Sequence, residues 1–256
     1  MHELFAAVLS SGSCGNCTLV MHDDMGVLVD AGISCREIEL RASTFGVDAS
    51  QVVAVVLTHE HTDHVRGVRR FCAEHGAHLM ATRGTMALAP LEGVKTDVIV
   101  PGRKYYLNGL ELRPFKVRHL AAEPVAVSFT DGSRKLVVAT DMGSITPDVL
   151  RETAGAGIMV IEANYDQEML ERGSYPAFLK RAIMSDHGHL SNADAATLVA
   201  SSASDSTREV VLAHLSKDNN TPELALQTVA SRLRGMANGP MVHVAEHGAS
   251  CGPFHL

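Results

Sequence analysis

The segment Thr58-His59-Glu60-His61-Thr62-Asp63-His64 carries four candidate metal ligands, His59, His61, Asp63 and His64, within six residues. His59 and His61 are two apart, so on extended backbone both imidazoles project to the same side. Asp63 and His64 follow where Val65, Val68, Phe71 and Cys72 are spaced like one face of a helix. Neutral imidazole suits zinc and other first-row metals, and a carboxylate widens the choice toward manganese. Four donors cannot complete two metal sites, so further ligands must come from elsewhere. His119, Asp141 and His214 each follow an extended or apolar run, residues 112–118, 135–140 and 210–213. Strand exits are where α/β sheets hold their ligands. Taken singly, each of the three is more often a cap. Together with the cluster they point to a metal-dependent enzyme.

The elements that must position these residues follow from the apolar pattern. Residues 52–57 predict a buried strand that delivers the histidine cluster. Before it come short strands at 4–9, 18–22 and 27–29, and a helix opened by a capping box of Ser34 and Glu37. Residues 104–140 read as a β-meander with turns at Asn108-Gly109 and Asp131-Gly132. A strand at 158–161 leads to Glu162. Helices at 175–184, 191–201 and 222–233 alternate with strands at 210–213 and 242–245. The expectation is an α/β fold, a four-layer αββα sandwich with a single core, formed by residues 1–256 as one domain.

Composition is that of a soluble globular enzyme, 46% hydrophobic and 20% charged. No apolar run reaches the roughly 20 residues of a membrane span, and residues 1–9 lack a basic lead and a long enough apolar core for a signal peptide. A cytoplasmic location is expected. Five cysteines form no disulfide-framework spacing, and the Cys14–Cys17 C-x-x-C pair has no companion pair at zinc-ribbon distance. A net charge of −7 argues against broad electrostatic binding of nucleic acid. A local track from Arg66, Arg69, Arg70, Lys180 and Arg181 stays open, as does a solvated-face reading of each.

With these residues in view, the sequence resembles the metallo-β-lactamase fold superfamily, whose dinuclear pattern is His-x-His-x-Asp-His followed by a His, an Asp and a His at successive strand ends. The resemblance implies one metal held by His59, His61 and His119, a second held by Asp63, His64 and His214, and Asp141 bridging them. Asp30 matches the preceding aspartate motif and would orient a ligand imidazole from the second shell. Ser10-Ser11-Gly12-Ser13-Cys14-Gly15-Asn16, Glu162-Ala163-Asn164-Tyr165-Asp166, Gly188-His189-Leu190-Ser191-Asn192 and His214-Leu215-Ser216-Lys217-Asp218-Asn219-Asn220 are similar to the bacterial YycJ/WalJ branch. That likeness runs from residue 4 to about 225. It implies a 5′-3′ DNA exonuclease with DNA as substrate. One departure stands out: the branch usually carries an acid after the third-motif histidine, where this chain has Leu120.

Two adjacent divalent cations, zinc or manganese with iron as a further option, suit phosphodiester hydrolysis by a metal-bridging hydroxide. Asp63 is then a catalytic candidate as well as a ligand. By the same resemblance His189 would protonate the leaving group, and Glu162 would orient His189. Ser13, Asn16, Ser191, Asn192 and Lys217 are candidate phosphate or substrate contacts, the loop of residues 11–16 through its backbone N–H groups. The alternative enzyme of this fold would act on a cyclic nucleotide, thioester or lactone. A metal-stabilised, non-catalytic scaffold is the third class. A β-lactam substrate is disfavoured by Asp141, and di-iron redox chemistry by His61.

Overall fold

A computed structural model describes residues 3–236 and 238–256. The first half builds one sheet. β1 (Leu4–Ser10), β2 (Cys17–His22) and β3 (Met25–Val29) form an antiparallel run; α1 (Cys35–Ser43) then leads to β4 (Val52–Val56). The short α2 (Thr62–Val65) and α3 (Val68–His75) lead on to β5 (His78–Ala81), and α4 (Arg83–Leu88) to β6 (Thr96–Val98). β3 to β6 are parallel neighbours.

The second sheet begins with the predicted meander: β7 (Tyr105–Leu107), β8 (Leu110–Lys116), β9 (Val125–Thr130) and β10 (Lys135–Ala139), each antiparallel to the next. After α5 (Pro147–Thr153) comes β11 (Ile158–Glu162), and after α6 (Gln167–Arg172), α7 (Ala177–Ile183) and α8 (Asn192–Ser202) comes β12 (Glu209–Ala213). α9 (Pro222–Leu233) precedes β13 (Met241–Val244), and β10 to β13 run parallel. The last strand, β14 (Cys251–His255), returns to the first sheet and pairs antiparallel with β1.

Side-chain alternation shows why the strands stack as they do. On β1, Phe5, Ala7 and Leu9 pack toward Ile38 of α1 and Phe71 of α3, while Leu4, Ala6 and Val8 face the second sheet. On β10, Leu136 and Val138 meet the first sheet, while Val137 packs toward Val149 of α5 and Leu198 of α8. Helices thus cover the outer face of each sheet, giving the four-layer αββα sandwich. Where a single core was expected, buried apolar residues fall in three layers, because each sheet is covered on both faces. Phe129 fills the middle layer, fully buried. Emptying such a position to alanine typically costs about 3–5 kcal/mol.

Candidate metal centre

The C-terminal ends of β3, β4, β8, β10, β11 and β12 open on one edge of the sandwich. From them extend Asp30, the segment 58–64, His119, Asp141, Glu162 and His214. Three of these residues, Asp30 (φ 62°), Asp141 (φ 58°) and His214 (φ 57°), have left-handed backbone although none is glycine. Such backbone persists only where surrounding bonds enforce it, and it concentrates at functional sites. For His214 the enforcers are visible. Its N–H donates to Ser11 Oγ at 2.7 Å, and its carbonyl accepts from Asn164 Nδ2 at 2.8 Å.

Two triads of donors have ligand atoms within 4.8 Å of one another: His59, His61 and His119, and Asp63, His64 and His214. Asp141 lies between them, with Oδ2 3.4 Å from His64 Nε2 and Oδ1 3.5 Å from His214 Nε2 and 3.8 Å from His119 Nε2. The residues expected to share two cations therefore converge. Three of the imidazoles are held from behind. His64 Nδ1–H donates to Asp30 Oδ2 at 2.8 Å, and Asp30 also accepts the Thr58 N–H and hydroxyl, both at 2.8 Å. His119 Nδ1–H donates to the Gly188 carbonyl at 3.0 Å, and His214 Nδ1 lies 3.2 Å from Glu162 Oε1. Holding one ring nitrogen in this way presents the other forward.

The forward atoms His119 Nε2, Asp141 Oδ2 and His214 Nε2 are buried with no hydrogen-bond partner. Buried polar atoms are nearly always paired, because an orphan carries its full desolvation cost. Three orphans from three strands, turned toward one spot, are what a cation-binding donor set requires. The donor set of imidazoles and carboxylates fits two divalent cations.

Electrostatics agree with that arrangement. Burial pushes the Asp141 carboxyl up, but the surrounding His214, His64, His59 and His119 outweigh it and hold it far below the usual range. Burial also pushes His64 down, yet Asp30 and Asp141 reverse this and raise it to about 9. Desolvation, reinforced by His64, drives His59 well below its ordinary value. For Glu162, burial is overcome by the charge and hydrogen bond of His189, which keep its carboxyl low.

His189 and Glu162 meet as expected, with Nδ1 2.6 Å from Oε1. Glu162 does more than orient that ring. Its Oε2 accepts the Met142 N–H at 2.7 Å and the Leu190 N–H at 3.3 Å, so one buried carboxylate ties the Asp141 loop, the His189 loop and His214 together. Gly143 permits the two loops to touch, since a Cβ there would lie 2.4 Å from the Gly188 nitrogen.

The candidate substrate contacts divide. Ser13 lines a cavity of about 280 Å³ over the centre, together with His61, Asp63, His119, Asp141, His189 and His214. Asn16 is buried and acts on the ligands instead, its Nδ2 3.0 Å from His64 Nε2 and donating to Asp63 Oδ2 at 3.2 Å. Ser191 caps α8, and Asn192 is locked to Asn220 by two reciprocal hydrogen bonds between their side-chain amides, 2.9 and 2.8 Å; neither lines the cavity. Lys217 is exposed and donates to Cys14 Sγ at 3.0 Å, beside the 11–16 loop and outside the cavity lining. Of the basic track, Arg69 pairs with Glu92, Arg70 with Glu74, and Lys180 with the Glu171 and Gly173 carbonyls. Ser11 and Asn164, which fix His214, were not foreseen. Ser11 bonds a residue 203 positions away, so no spacing announces it.

A second group of donors, Cys35, Glu39, Glu74 and His75, lies on α1 and at the end of α3. There the polar groups satisfy one another: the thiol lies 3.0 Å from Glu74 and 3.4 Å from Glu39, His75 pairs with Glu39 and Arg70 with Glu74.

An αββα sandwich with a histidine–aspartate centre at the strand exits defines a metallo-hydrolase class, and the sequence comparison agrees. Residues 26–215 match the family described as a β-lactamase superfamily domain, and the chain belongs to it. The chain is similar to exodeoxyribonuclease YycJ of Bacillus anthracis, with 37% identity covering 90% of this chain and 89% of that protein. It is likewise similar to exodeoxyribonuclease WalJ of Streptococcus pneumoniae, with 32% identity covering 89% and 87%. Among solved structures, the metallo-β-lactamase fold protein YhfI of Bacillus subtilis superposes over the whole of both chains with a TM-score of 0.75 at 18% identity. That last likeness speaks to the fold alone.

Proposed function

We propose that this protein is a dinuclear metal-dependent phosphodiesterase, a DNA exonuclease that works from the 5′ end. The observation that carries the reading is the set of orphaned buried donors, His119 Nε2, Asp141 Oδ2 and His214 Nε2, in a chain 37% identical to an exodeoxyribonuclease. Zinc or manganese matches a donor set with imidazole and carboxylate and no thiolate. His59, His61 and His119 would hold one cation, Asp63, His64 and His214 the other, with Asp141 shared. Two such cations lower the pKa of a nearby water toward neutrality and offset charge on phosphoryl oxygens.

The remaining steps belong to side chains. Asp63 is the more open of the two central carboxylates, 23% exposed against 3% for Asp141, and would take the proton of the attacking water. His189 lines the cavity with its Nδ1 committed to Glu162, which leaves Nε2 to protonate the departing alkoxide. Glu162, fully buried and with its carboxyl held low, fixes the ring through their 2.6 Å contact. We place the enzyme in the cytoplasm, where its five unpaired cysteines would stay reduced.

The test is incubation of purified protein with manganese or zinc and 5′-phosphorylated single-stranded DNA, duplex DNA, RNA or a cyclic dinucleotide. Stepwise shortening of DNA from the 5′ end is expected. His59→Ala, His119→Ala and Asp141→Ala are expected to lose both hydrolysis and bound metal, the latter measured by mass spectrometry. Full activity of any of these without metal, or turnover of the cyclic dinucleotide alone, sinks the proposal.

A further inference from the structure

The floor of the cavity over the centre is polar, but one wall is not. Leu120 and three residues of α7, Leu179, Ala182 and Ile183, line it. Spacing of i, i+3 and i+4 marks the apolar face of an amphipathic helix, which ordinarily packs on a core. Here α7 contributes no buried residue at all. Its apolar face is turned into the cavity beside the metal ligands. Leu120 completes the lip: its side chain stands out, 61% exposed, while its carbonyl is anchored 3.2 Å from His61 Nε2.

Resting on the nuclease reading above, we propose that this wall is a nucleobase subsite: the terminal base of the substrate strand lies with its face against Leu120, Leu179 and Ile183 while its phosphate reaches the metal floor. The occupant follows from what surrounds the wall. A polar floor of histidines and carboxylates suited to cations takes a phosphodiester, and an apolar surface next to it takes the flat, apolar face of the attached base. The cavity measures about 280 Å³, and we take its occupant to be one nucleoside unit and the product a mononucleotide. The four wall side chains offer no donor or acceptor, so no base edge is read and all four bases are accepted. Contact with a base face is tolerant of sequence because every base has one. Leu120 therefore serves this function: an acid there would set a negative charge beside the incoming phosphate and remove apolar area from the lip.

The test uses the metal-loaded protein and 5′-phosphorylated single strands that differ only in the terminal nucleotide: each of the four bases, or an abasic tetrahydrofuran. Expected are four base-bearing ends within about twofold of one another in kcat/KM and an abasic end down by roughly tenfold, the loss expected from exposing about 50 Å² of apolar contact. The product released should be mononucleotide. In Leu179→Ala and Ile183→Ala, checked for unchanged metal content, KM for base-bearing ends should rise while the penalty for the abasic end shrinks. Leu120→Glu should raise KM most at low salt. Equal rates on abasic and base-bearing ends overturn the subsite and leave the nuclease reading intact, as does a strong preference for one base or release of dinucleotides. Wild-type protein that cuts no strand at all overturns the nuclease reading, and the subsite with it.

Discussion

Asp30 does not line the cavity, yet its two oxygens take three hydrogen bonds, from the Thr58 N–H, the Thr58 hydroxyl and His64 Nδ1–H. Its value lies in being a pure acceptor. Asp30→Asn would place an NH₂ opposite one of these donors and release the His64 ring from its tautomer. Lost support of this kind typically weakens metal affinity 10–100-fold, so competition against a chelator should show roughly that loss, and unchanged affinity would remove Asp30 from the ligand scaffold. His189 sits at the opposite extreme. It touches the cavity but has its Nδ1 engaged by Glu162, so His189→Ala is expected to keep both cations and lose about 10²–10⁴ in kcat. Metal analysis and turnover measured on the same preparation separate the two outcomes. Metal lost along with activity would make His189 a ligand.

At the scale of elements, the β9–β10 hairpin shows how a turn is fixed by one acid. Asp131 Oδ1 accepts the N–H groups of Ser133 and Arg134 at 3.0 and 2.8 Å, and Oδ2 accepts Arg134 Nε at 2.7 Å. Burial opposes ionisation, but these bonds outweigh it and hold the carboxyl well below the ordinary range. A carboxyl lowered in the folded state stabilises the fold above its unfolded pKa, near 4, and loses that effect as pH falls through the folded value. The stability gap between wild type and Asp131→Asn, measured as urea midpoints, should therefore be widest near neutrality and close as pH falls below about 4. A gap independent of pH would contradict this account. The hairpin was legible from Asp131-Gly132, as was the strand before His59 from its unbroken apolar run. β14 was not, because Gly252 and Pro253 argue against a strand; it exists as an edge that, among the described residues, pairs with β1 alone, where proline is tolerated. The candidate ligands were legible because each lies on a segment that leaves a strand, after β4, β8, β10 or β12. Asn16, Ser191 and Asn192, read as candidate substrate contacts, are engaged within the protein and do not line the cavity, because sequence shows a polar residue in a loop and not the direction it faces.

For the molecule as a whole, we infer that the chain folds as one unit. The family match covers residues 26–215, yet the first sheet is completed by β1, β2 and β14 from outside it, with Phe5 opposite His255. The middle layer needs both sheets at once, since Val27, Val29 and Val56 from one pack with Leu112, Phe129 and Val138 from the other. Neither half can bury that layer alone. The centre adds a second tie, because His59, His61, Asp63 and His64 come from the first sheet and His119, Asp141 and His214 from the second. A cation bound across that seam stabilises only the assembled form. At about 1,000 times its Kd each would add about 4 kcal/mol, a rise in Tm of order 10 °C for a domain of this size. Thermal unfolding with saturating zinc or manganese should then be a single transition, coincident by near- and far-ultraviolet circular dichroism, and should move down on addition of a chelator while staying single. Two transitions, or a Tm indifferent to chelation, would mean that the halves stand separately and that the metal centre does not bind them together.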